Sequence, residues 1–346
     1  MTQNLIYTGS VKDVYTDADR LIFSYSDRYS VFDWGQMPDD IPGKGQALAS
    51  LAASFFEFLQ AQGIPSHYLG QTAPNAIAVQ PVDVLRPAWT DGLYDYSAYR
   101  AHPTGALVPL EVIFRHALAL GNSLEGRLKK DPAYMRDLGL TQVPTSAAEF
   151  DPPLVEFSTK LESTDRYVTA HEIEQLDLLS ASELSALREK TRHIATLLRG
   201  LFEKLGVKLW DGKFEFACHA GRYPQREFLL VDSVGPDELR LTYDGLSLSK
   251  EFLRQIYTNT AWAQGMRQSK ALAKERHTRE WKAICIGELG LRPRHLTAEE
   301  RDVASLLYQA LANEVAGFVG RALPFDAAIR LPVWREHARR LVAQAA

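Results

Sequence analysis

The sequence predicts an α+β fold with more than one domain. Segments with the composition of β-strands dominate the first part of the chain, and helical patterns dominate beyond about residue 260. The length of 346 residues also exceeds the usual size of a single hydrophobic core. We therefore expect an N-terminal antiparallel β domain at 1–108, an α/β domain at 109–260 and a C-terminal helical extension at 261–346.

The N-terminal region begins as a β-meander over residues 5–34. The segments "LIYTGSVKDVY" and "LIFSYSDRYSVFDW" are rich in β-branched and aromatic residues, and "TDAD" between them is typical of a turn. A helix of about four turns follows the glycines of "IPGKGQ". Its expected buried positions are Leu48, Leu51, Ala52, Phe55 and Leu59. Two more strands are expected at 76–85 and 109–115, with a long loop or insertion at 86–107.

Two long helical patterns begin with capping boxes, Ser180 with Glu183 and Thr297 with Glu300. The first ends at Gly206, and its expected buried stripe is Leu184, Leu187, Ile194, Leu198 and Leu201. The stripe expected for the second is Val303, Leu306, Leu307, Ala310, Leu311, Phe318 and Val319. Such a stripe more often forms intramolecular core than a dimer interface.

Composition narrows the class of protein. The formal charge of −4 is mild and argues against a nucleic-acid-binding protein. No apolar stretch approaches membrane-spanning length, and "MTQNLIYTGS" lacks the pattern of a secretory signal. The two cysteines, Cys218 and Cys285, cannot form a disulfide framework or a CxxC metal site. We expect a soluble cytoplasmic protein that contacts neither nucleic acid nor membrane.

The segment "VKLWDGKFEF" (207–216) carries the clearest sign of chemistry. In a strand, Asp211, Lys213 and Glu215 project from one face, and Gly212, Phe214 and Phe216 project from the other. This acid–base–acid face is either a functional site or a solvated face with cross-strand salt bridges. Such bridges contribute only about 0.2–1 kcal/mol each.

A return strand, "EFLLVDSV", follows the expected hairpin turn "AGRYPQR". If the two strands pair, Glu215 and Asp232 face the same side, where their repulsion favours a cation between them. Oxygen ligands without Cys or His favour Mg²⁺, usually completed by phosphate, and Lys213 would then contact that phosphate.

Weaker signals lie elsewhere. Gly9 lies inside the expected first strand, three residues before Lys12. A glycine there permits close approach of the backbone to a nucleotide, and the alternative is a simple β-bulge.

Arg115 and Arg240 lie near turns and suit phosphate or carboxylate clamps, unless they are ordinary surface arginines. Lys160 lies in a Ser/Thr-rich loop, "FSTKLE", where an exposed lysine is equally plausible. Together these residues suggest an enzyme that uses a Mg²⁺–nucleotide complex.

Six motifs occur in the order expected of one family. They are "YTGSVKDVY", "SDRYSVFDWGQMPDDIPGKG", "PLEVIFR", "DPPLVEFSTKLE", "LWDGKFEF" and "LVDSVGPDELRL". From about residue 5 to about residue 255, the chain resembles the SAICAR synthetases, phosphoribosylaminoimidazole-succinocarboxamide synthases of purine synthesis, and specifically a longer-chain branch. The resemblance implies an N-terminal antiparallel sheet over an ATP-grasp-like α/β domain, followed by the helical extension.

The implied activity is that of a carbon–nitrogen ligase. It would use ATP and Mg²⁺ to join L-aspartate to 5-amino-1-(5-phospho-ribosyl)imidazole-4-carboxylate through an acyl phosphate, releasing ADP and phosphate. The resemblance also suggests a homo-oligomer. It assigns Lys213 and Asp211 to catalysis, and Glu215 and Asp232 to Mg²⁺.

The remaining assignments from the resemblance concern ligands. The residues assigned to the nucleotide are Lys213 and, in the N-terminal region, Gly9, Ser10, Val11 and Lys12. Substrate contacts fall on Arg115, Ser123, Lys160, Asp237, Arg240, Asp33 and Lys44. Arg115, Ser123 and Arg240 would hold the ribose phosphate and carboxylate of the imidazole substrate, with Asp237 supporting the same loop.

The chain departs from the family pattern at several positions. Ser10 replaces a usual lysine, Ser233 a usual glutamate and Ala217 a usual glycine, and the spacing from Arg115 to Gly121 is stretched. Two alternatives therefore stay open: a related ATP-dependent carboxylate–amine ligase acting on another azole nucleotide, and a nucleotide-binding relative without catalysis.

Overall fold

The computed structural model describes residues 3–90, 92–119, 122–145, 148–220 and 226–345. The backbone divides into two units, each described here by itself. The first unit comprises Met1–Ser54, Gly70–Ala78 and Thr242–Ala346, and the second comprises Phe55–Leu69 and Val79–Leu241.

The strands of the described residues range from two to thirteen residues in length. In chain order they are β1 (Asn4–Thr8), β2 (Lys12–Asp17), β3 (Arg20–Tyr25), β4 (Tyr68–Ala73), β5 (Ala76–Val79), β6 (Ala88–Thr90), β7 (Leu93–Asp95), β8 (Leu110–Ala117), β9 (Glu149–Thr159), β10 (Tyr167–Val168), β11 (Val207–His219), β12 (Glu227–Val231), β13 (Leu239–Tyr243) and β14 (Leu246–Ser247).

The helices are concentrated in the second half of the chain. They are α1 (Lys44–Ala61), α2 (Leu124–Lys130), α3 (Pro132–Asp137), α4 (Ala170–Gln175), α5 (Ala181–Lys204), α6 (Lys250–Thr258), α7 (Ala261–Glu275), α8 (Trp281–Ala283), α9 (Ala298–Phe318) and α10 (Leu331–Ala345). A 3₁₀ turn lies at Ser97–Tyr99 and a π-helical turn at Ile284–Glu288.

The N-terminal sheet has the strand order β1-β2-β3-β5-β4, and β1, β2 and β3 pair antiparallel. This confirms the predicted meander, but the strands end at Tyr25, and residues 26–34 form loops with one isolated bridge at Arg28. Helix α1 forms as predicted, with all five expected apolar positions buried.

Residues of the C-terminal region belong to the same unit as the N-terminal meander. Within that unit, the Tyr257 hydroxyl lies 2.7 Å from the Tyr29 hydroxyl, and Ser305 donates to the Pro42 carbonyl at 2.6 Å. The sequence-based limits at 108 and 260 therefore do not coincide with the unit limits, because residues distant in sequence pack together. The three-part division stays a prediction.

The second unit is built on an antiparallel sheet in which β8 lies between β9 and β11. Strand β12 pairs with the second half of β11. Helix α5 packs against one face of this sheet. Both of its predicted ends are confirmed, since the Ser180–Glu183 capping box forms and Gly206 adopts φ +70°.

The face of β8 and β11 toward α5 is apolar. All five predicted stripe residues of α5 are buried. The rings of Phe114 and Phe214 stack with centroids 4.8 Å apart, and His116 Nε2 donates to the Ala195 carbonyl of α5 at 3.0 Å. Burial lowers the pKa of His116 to about 4, so the ring is neutral at physiological pH.

Several predicted boundaries were wrong in detail. The strand predicted at 76–85 ends at Val79, and the predicted loop 86–107 contains the short hairpin β6–β7. The predicted turn 220–226 lies largely outside the described residues. In α9 the capping box forms, but Leu306 and Val319 are only half-buried and Phe318 is 37% exposed. These three positions lie at the edge or end of the helix face that packs inward.

Gly212 is required by the packing of the apolar face. A Cβ atom at this position would lie 2.6 Å from Leu239 Cδ2 and 2.8 Å from the Phe114 ring. We expect Gly212→Ala to lower the free energy of unfolding by about 1–3 kcal/mol, because the ring and the leucine must shift. Gly200→Ala in α5, with no neighbour within 4 Å, should instead stabilise by up to about 1 kcal/mol. Denaturant titration of both variants tests this, and equal effects would contradict the packing argument.

Candidate active site

The sheet face opposite α5 carries charged residues that are largely buried. In the register, Asp211 pairs with Arg115 and Lys213 pairs with Ile113, while Ile113 also pairs with Glu156 of β9. Side chains alternate along a strand, so one surface carries Glu111 and Arg115 of β8, Glu156 of β9, and Asp211, Lys213 and Glu215 of β11. The acid–base–acid face predicted for β11 is therefore part of a three-strand polar surface, not an isolated solvated edge.

Two lysines and two glutamates form a cluster on this surface. Lys160 Nζ lies 2.6 Å from Glu215 Oε1 and 3.1 Å from Glu111 Oε1. Lys213 Nζ donates to the same Glu111 oxygen and lies 3.9 Å from Glu215. Lys160 directly follows β9 and lies outside the strand, as predicted, but it is not a fully exposed lysine: its side chain is 27% exposed and lies against both carboxylates.

The charges of this cluster are strongly coupled. Burial and the nearby Asp232 carboxylate raise the pKa of Glu215, although Lys160 and Lys213 act in the opposite direction. Burial alone would raise the pKa of Glu111, but the ammonium groups of Lys213 and Lys160 lower it below its ordinary value. The pKa of Lys160 is raised, since its two carboxylate partners outweigh its burial. Burial would lower the pKa of Lys213, but Glu111 and Glu215 raise it, so both lysines are charged at neutral pH.

Asp232 lies differently from the prediction. Glu215 pairs with Val231, the last residue of β12, and Asp232 follows the strand with φ +66°. The left-handed backbone takes Asp232 out of the strand's alternation. Its carboxylate nevertheless raises the pKa of both Glu215 and Lys160, so it acts on the same cluster.

Arginines and carboxylates alternate beside this cluster. Arg115, 4% exposed, donates from Nε to Glu156 and from Nη1 to Asp211 at 3.2 Å. Arg240 Nη1 lies 3.4 Å from the same Asp211 oxygen. Asp211, predicted to be catalytic, thus lies between two guanidinium groups. Burial would lower the pKa of Arg115, but Glu156 and Asp211 raise it, and the side chain stays charged.

Two other predicted substrate residues, Ser123 and Asp237, lie a few residues along the chain from Arg115 and Arg240. Ser123 directly precedes α2, and its hydroxyl accepts from Arg127 Nη1 at 2.8 Å. Asp237 lies half-buried in the turn that leads into β13. Gly121, whose spacing from Arg115 is stretched, lies outside the described residues.

The predicted nucleotide residues of the first unit lie in the turn between β1 and β2, and Lys12 begins β2. Gly9 lies in the connecting turn and not inside a strand, and the bulge of β1 lies between Leu5 and Tyr7, so Gly9 does not form that bulge. Its contact with a nucleotide stays a prediction. Gly9 N donates to the Lys12 carbonyl at 2.9 Å, and an added Cβ would lie 2.8 Å from that oxygen. Ser10 is exposed and Val11 half-buried in the same turn.

Asp33 and Lys44 have contrasting environments within the first unit. The Asp33 side chain is 86% exposed, has φ +62° and lies 3.1 Å from Lys270 Nζ. Lys44 begins α1, is fully buried, and its ammonium lies 5.0 Å from the Tyr308 ring centroid. Their roles in substrate binding stay predictions.

The sequence interpretation missed four residues of the second unit: Glu111, Arg127, Tyr134 and Glu156. A usable signal was present for Glu111, because strand alternation in "PLEVIFR" places it on the face of Arg115. Glu156 gave no such signal, since its face depends on the pairing of β9 with β8.

The chain belongs to the SAICAR synthetase family, whose model matches residues 5–269. A phosphoribosylaminoimidazole-succinocarboxamide synthase of Thermoplasma acidophilum is 31% identical over 77% of this chain and 87% of its own. A protein of Archaeoglobus fulgidus that carries the enzyme's name provisionally is 38% identical over 85% of this chain and 87% of its own. The predicted family is confirmed.

Solved structures share the fold. The Saccharomyces cerevisiae SAICAR synthase in complex with SAICAR covers 91% of this chain and 95% of its own, at 20% identity and a TM-score of 0.63. The Ehrlichia chaffeensis enzyme covers 74% and 93%, at 21% identity and a TM-score of 0.56. The predicted α+β fold class is confirmed. In the part of the chain that the structure describes, no helix is both long and apolar enough to span a membrane.

Glu111 allows a test of the lysine–glutamate cluster. We expect Glu111→Gln to lower the free energy of unfolding at pH 7 by about 1–3 kcal/mol, because the two half-buried ammonium groups of Lys160 and Lys213 lose their shared, buried carboxylate. The pKa of Glu111 is lower in the folded protein than in the unfolded chain, where it is about 4.3. The ionised carboxylate therefore stabilises the fold at pH values above about 4.3. The difference from wild type should therefore shrink as the pH falls below about 4.

The matched control is Glu149→Gln, which removes an exposed carboxylate 2.8 Å from Lys208 on the same sheet. Its effect should stay within about 0.5 kcal/mol. Denaturant titrations at pH 7 and pH 3 provide the measurement. A loss for Glu111→Gln that is equal at both pH values would contradict the electrostatic account.

Proposed function

We propose that this chain joins L-aspartate to the carboxylate of 5-amino-1-(5-phospho-ribosyl)imidazole-4-carboxylate, with conversion of ATP to ADP and phosphate. The observation that carries the proposal is the Lys213–Glu111–Lys160–Glu215 cluster, with buried carboxylates and half-buried lysines, within the region that matches the SAICAR synthetase family. A carboxylate is a poor electrophile, so ATP must first convert it to an acyl phosphate, which the aspartate amine then attacks.

The lysines account for the charge balance of that first step. Phosphoryl transfer depends on positioning and on neutralising the negative oxygens of the transferred group. The carboxylates of Glu111 and Glu215 keep Lys213 and Lys160 charged and oriented. We assign Lys213 to the nucleotide phosphates and Lys160 to the acidic substrates. Asp211 contributes by holding Arg115 and Arg240, not by touching the reacting atoms.

The residues present fit a divalent cation. Glu215 and Asp232 repel one another, and their donor atoms are the oxygens that Mg²⁺ prefers. Within the described residues no cluster of three or more Asp, Glu, His or Cys could hold a metal, so phosphate oxygens and water would complete the coordination. When bound, Mg²⁺ would neutralise the phosphate charge, and Glu215 and Asp232 would hold it.

The remaining assignments complete the proposal. Substrate phosphate and carboxylate are assigned to Arg115, Ser123 and Arg240, with Asp237, Asp33 and Lys44 as further substrate residues. The turn from Gly9 to Lys12 is assigned to ATP, and Ser10 stands there where the family usually has a lysine side chain. A cytoplasmic homo-oligomer is part of the same proposal.

The decisive assay measures aspartate-dependent ADP release by the purified protein with the imidazole nucleotide. Lys213→Ala should lower kcat/KM at least about 100-fold, because a charge that faces the transferred phosphoryl group is lost. Lys208→Ala is the matched control, since Lys208 lies on the same strand but pairs with exposed Glu149. It should leave kcat/KM unchanged, and chelation of Mg²⁺ should abolish turnover of the wild-type protein.

Two outcomes favour the alternatives. Negligible turnover of the imidazole nucleotide by folded wild-type protein would sink the proposed reaction and favour a ligase for another azole nucleotide. A Glu215→Ala variant that still binds Mg²⁺–ATP as tightly as wild type would favour a nucleotide-binding relative without catalysis.

A further inference from the structure

One buried carboxylate of the second unit receives three donors. Glu156 is 1% exposed and accepts hydrogen bonds from Arg115 Nε, from Arg127 Nη2 at 2.5 Å and from the Tyr134 hydroxyl at 2.7 Å. Burial would raise the pKa of Glu156, but the two guanidinium groups lower it, so the carboxylate is ionised.

Arg127 extends this network to Ser123. Its Nη2 contacts Glu156, and its Nη1 donates to Ser123 Oγ at 2.8 Å. The guanidinium carbon lies 3.3 Å from the Tyr167 ring centroid, and this stacking restricts the side chain further. Because Ser123 Oγ accepts from Arg127, its own hydrogen can be donated to a ligand.

The charges of the network leave a surplus that suits an anion. Three guanidinium groups contact only two carboxylates among the described residues of this network: Arg115, Arg127 and Arg240 against Glu156 and Asp211. The net charge is +1, since 3 − 2 = 1. A phosphomonoester, which carries charge and several acceptor oxygens, matches both the surplus and the donors.

We infer that Glu156 is a positioning residue for the phosphate-bearing substrate: it fixes Arg115 directly and Ser123 through Arg127. The inference rests on the proposed function. Without this carboxylate, two neighbouring cations repel one another and lose a common acceptor. The donors would then have to be ordered when the substrate binds, and affinity would fall.

The test replaces Glu156 by glutamine, which keeps the shape of the side chain and removes its charge. In Glu156→Gln we expect KM for the imidazole nucleotide to rise about tenfold or more, with KM for ATP and aspartate unchanged. Tyr134→Phe removes one donor and keeps the carboxylate, so the same KM should rise by a smaller factor. This second variant keeps the test decisive if Glu156→Gln folds poorly.

Glu183→Gln is the matched control. Glu183 is also buried in the second unit and accepts from Arg226 Nε at 2.7 Å and Nη2 at 2.9 Å, and its pKa is lowered to about 2. This variant should lose stability to a similar degree but leave all three KM values unchanged. A rise in the imidazole nucleotide KM of this control would show that any lost buried pair has that effect, which overturns the inference.

Calorimetric titration with ribose 5-phosphate separates this inference from the proposed function. Weaker binding by folded Glu156→Gln than by wild type supports the inference, even if wild type fails to turn over the imidazole nucleotide. Equal binding of ribose 5-phosphate by the two proteins overturns the inference, whatever the turnover.

Discussion

The second unit depends on the mutual neutralisation of charged side chains that the sheet removes from water. Each buried ion costs several kcal/mol in lost hydration unless a partner and further hydrogen bonds replace the solvent. On the shared face of β8, β9 and β11, carboxylates therefore alternate with lysines and arginines. Glu111 serves two lysines and Glu156 serves two arginines, so each carboxylate orients more than one cation.

This arrangement explains why the site is suited to highly charged substrates. The pairing orients the cations in advance, so binding does not have to order long flexible side chains. At the same time the pairing is incomplete, because Glu215 and Asp232 repel one another and the arginine network keeps a positive surplus. A cation between Glu215 and Asp232, and an anionic group beside the arginine network, would complete the charge balance.

Local sequence patterns predicted the features that depend only on residues close together in the chain, such as helix caps and strand faces. The capping boxes at Ser180 and Thr297 and the two faces of "DGKFEF" are of this kind, and all formed. Glu156 could not be predicted, because its contact with Arg115 depends on pairing between strands 41 residues apart. The position of Asp232 differed in detail: it follows β12 with a left-handed backbone angle, and its carboxylate still acts on Glu215 from there. The family assignment came from ordered motifs, which carry information that periodicity does not.

Strand β11 places a chemical residue and a core residue at adjacent positions, Lys213 next to Phe214 and Glu215 next to Phe216. Adding or deleting a single residue in this strand would exchange its two faces, bringing lysine against α5 and phenylalanine into the site. A substitution in this segment alters one face at a time. A change of length that no β-bulge absorbs would instead disrupt the hydrophobic core and the charged surface together.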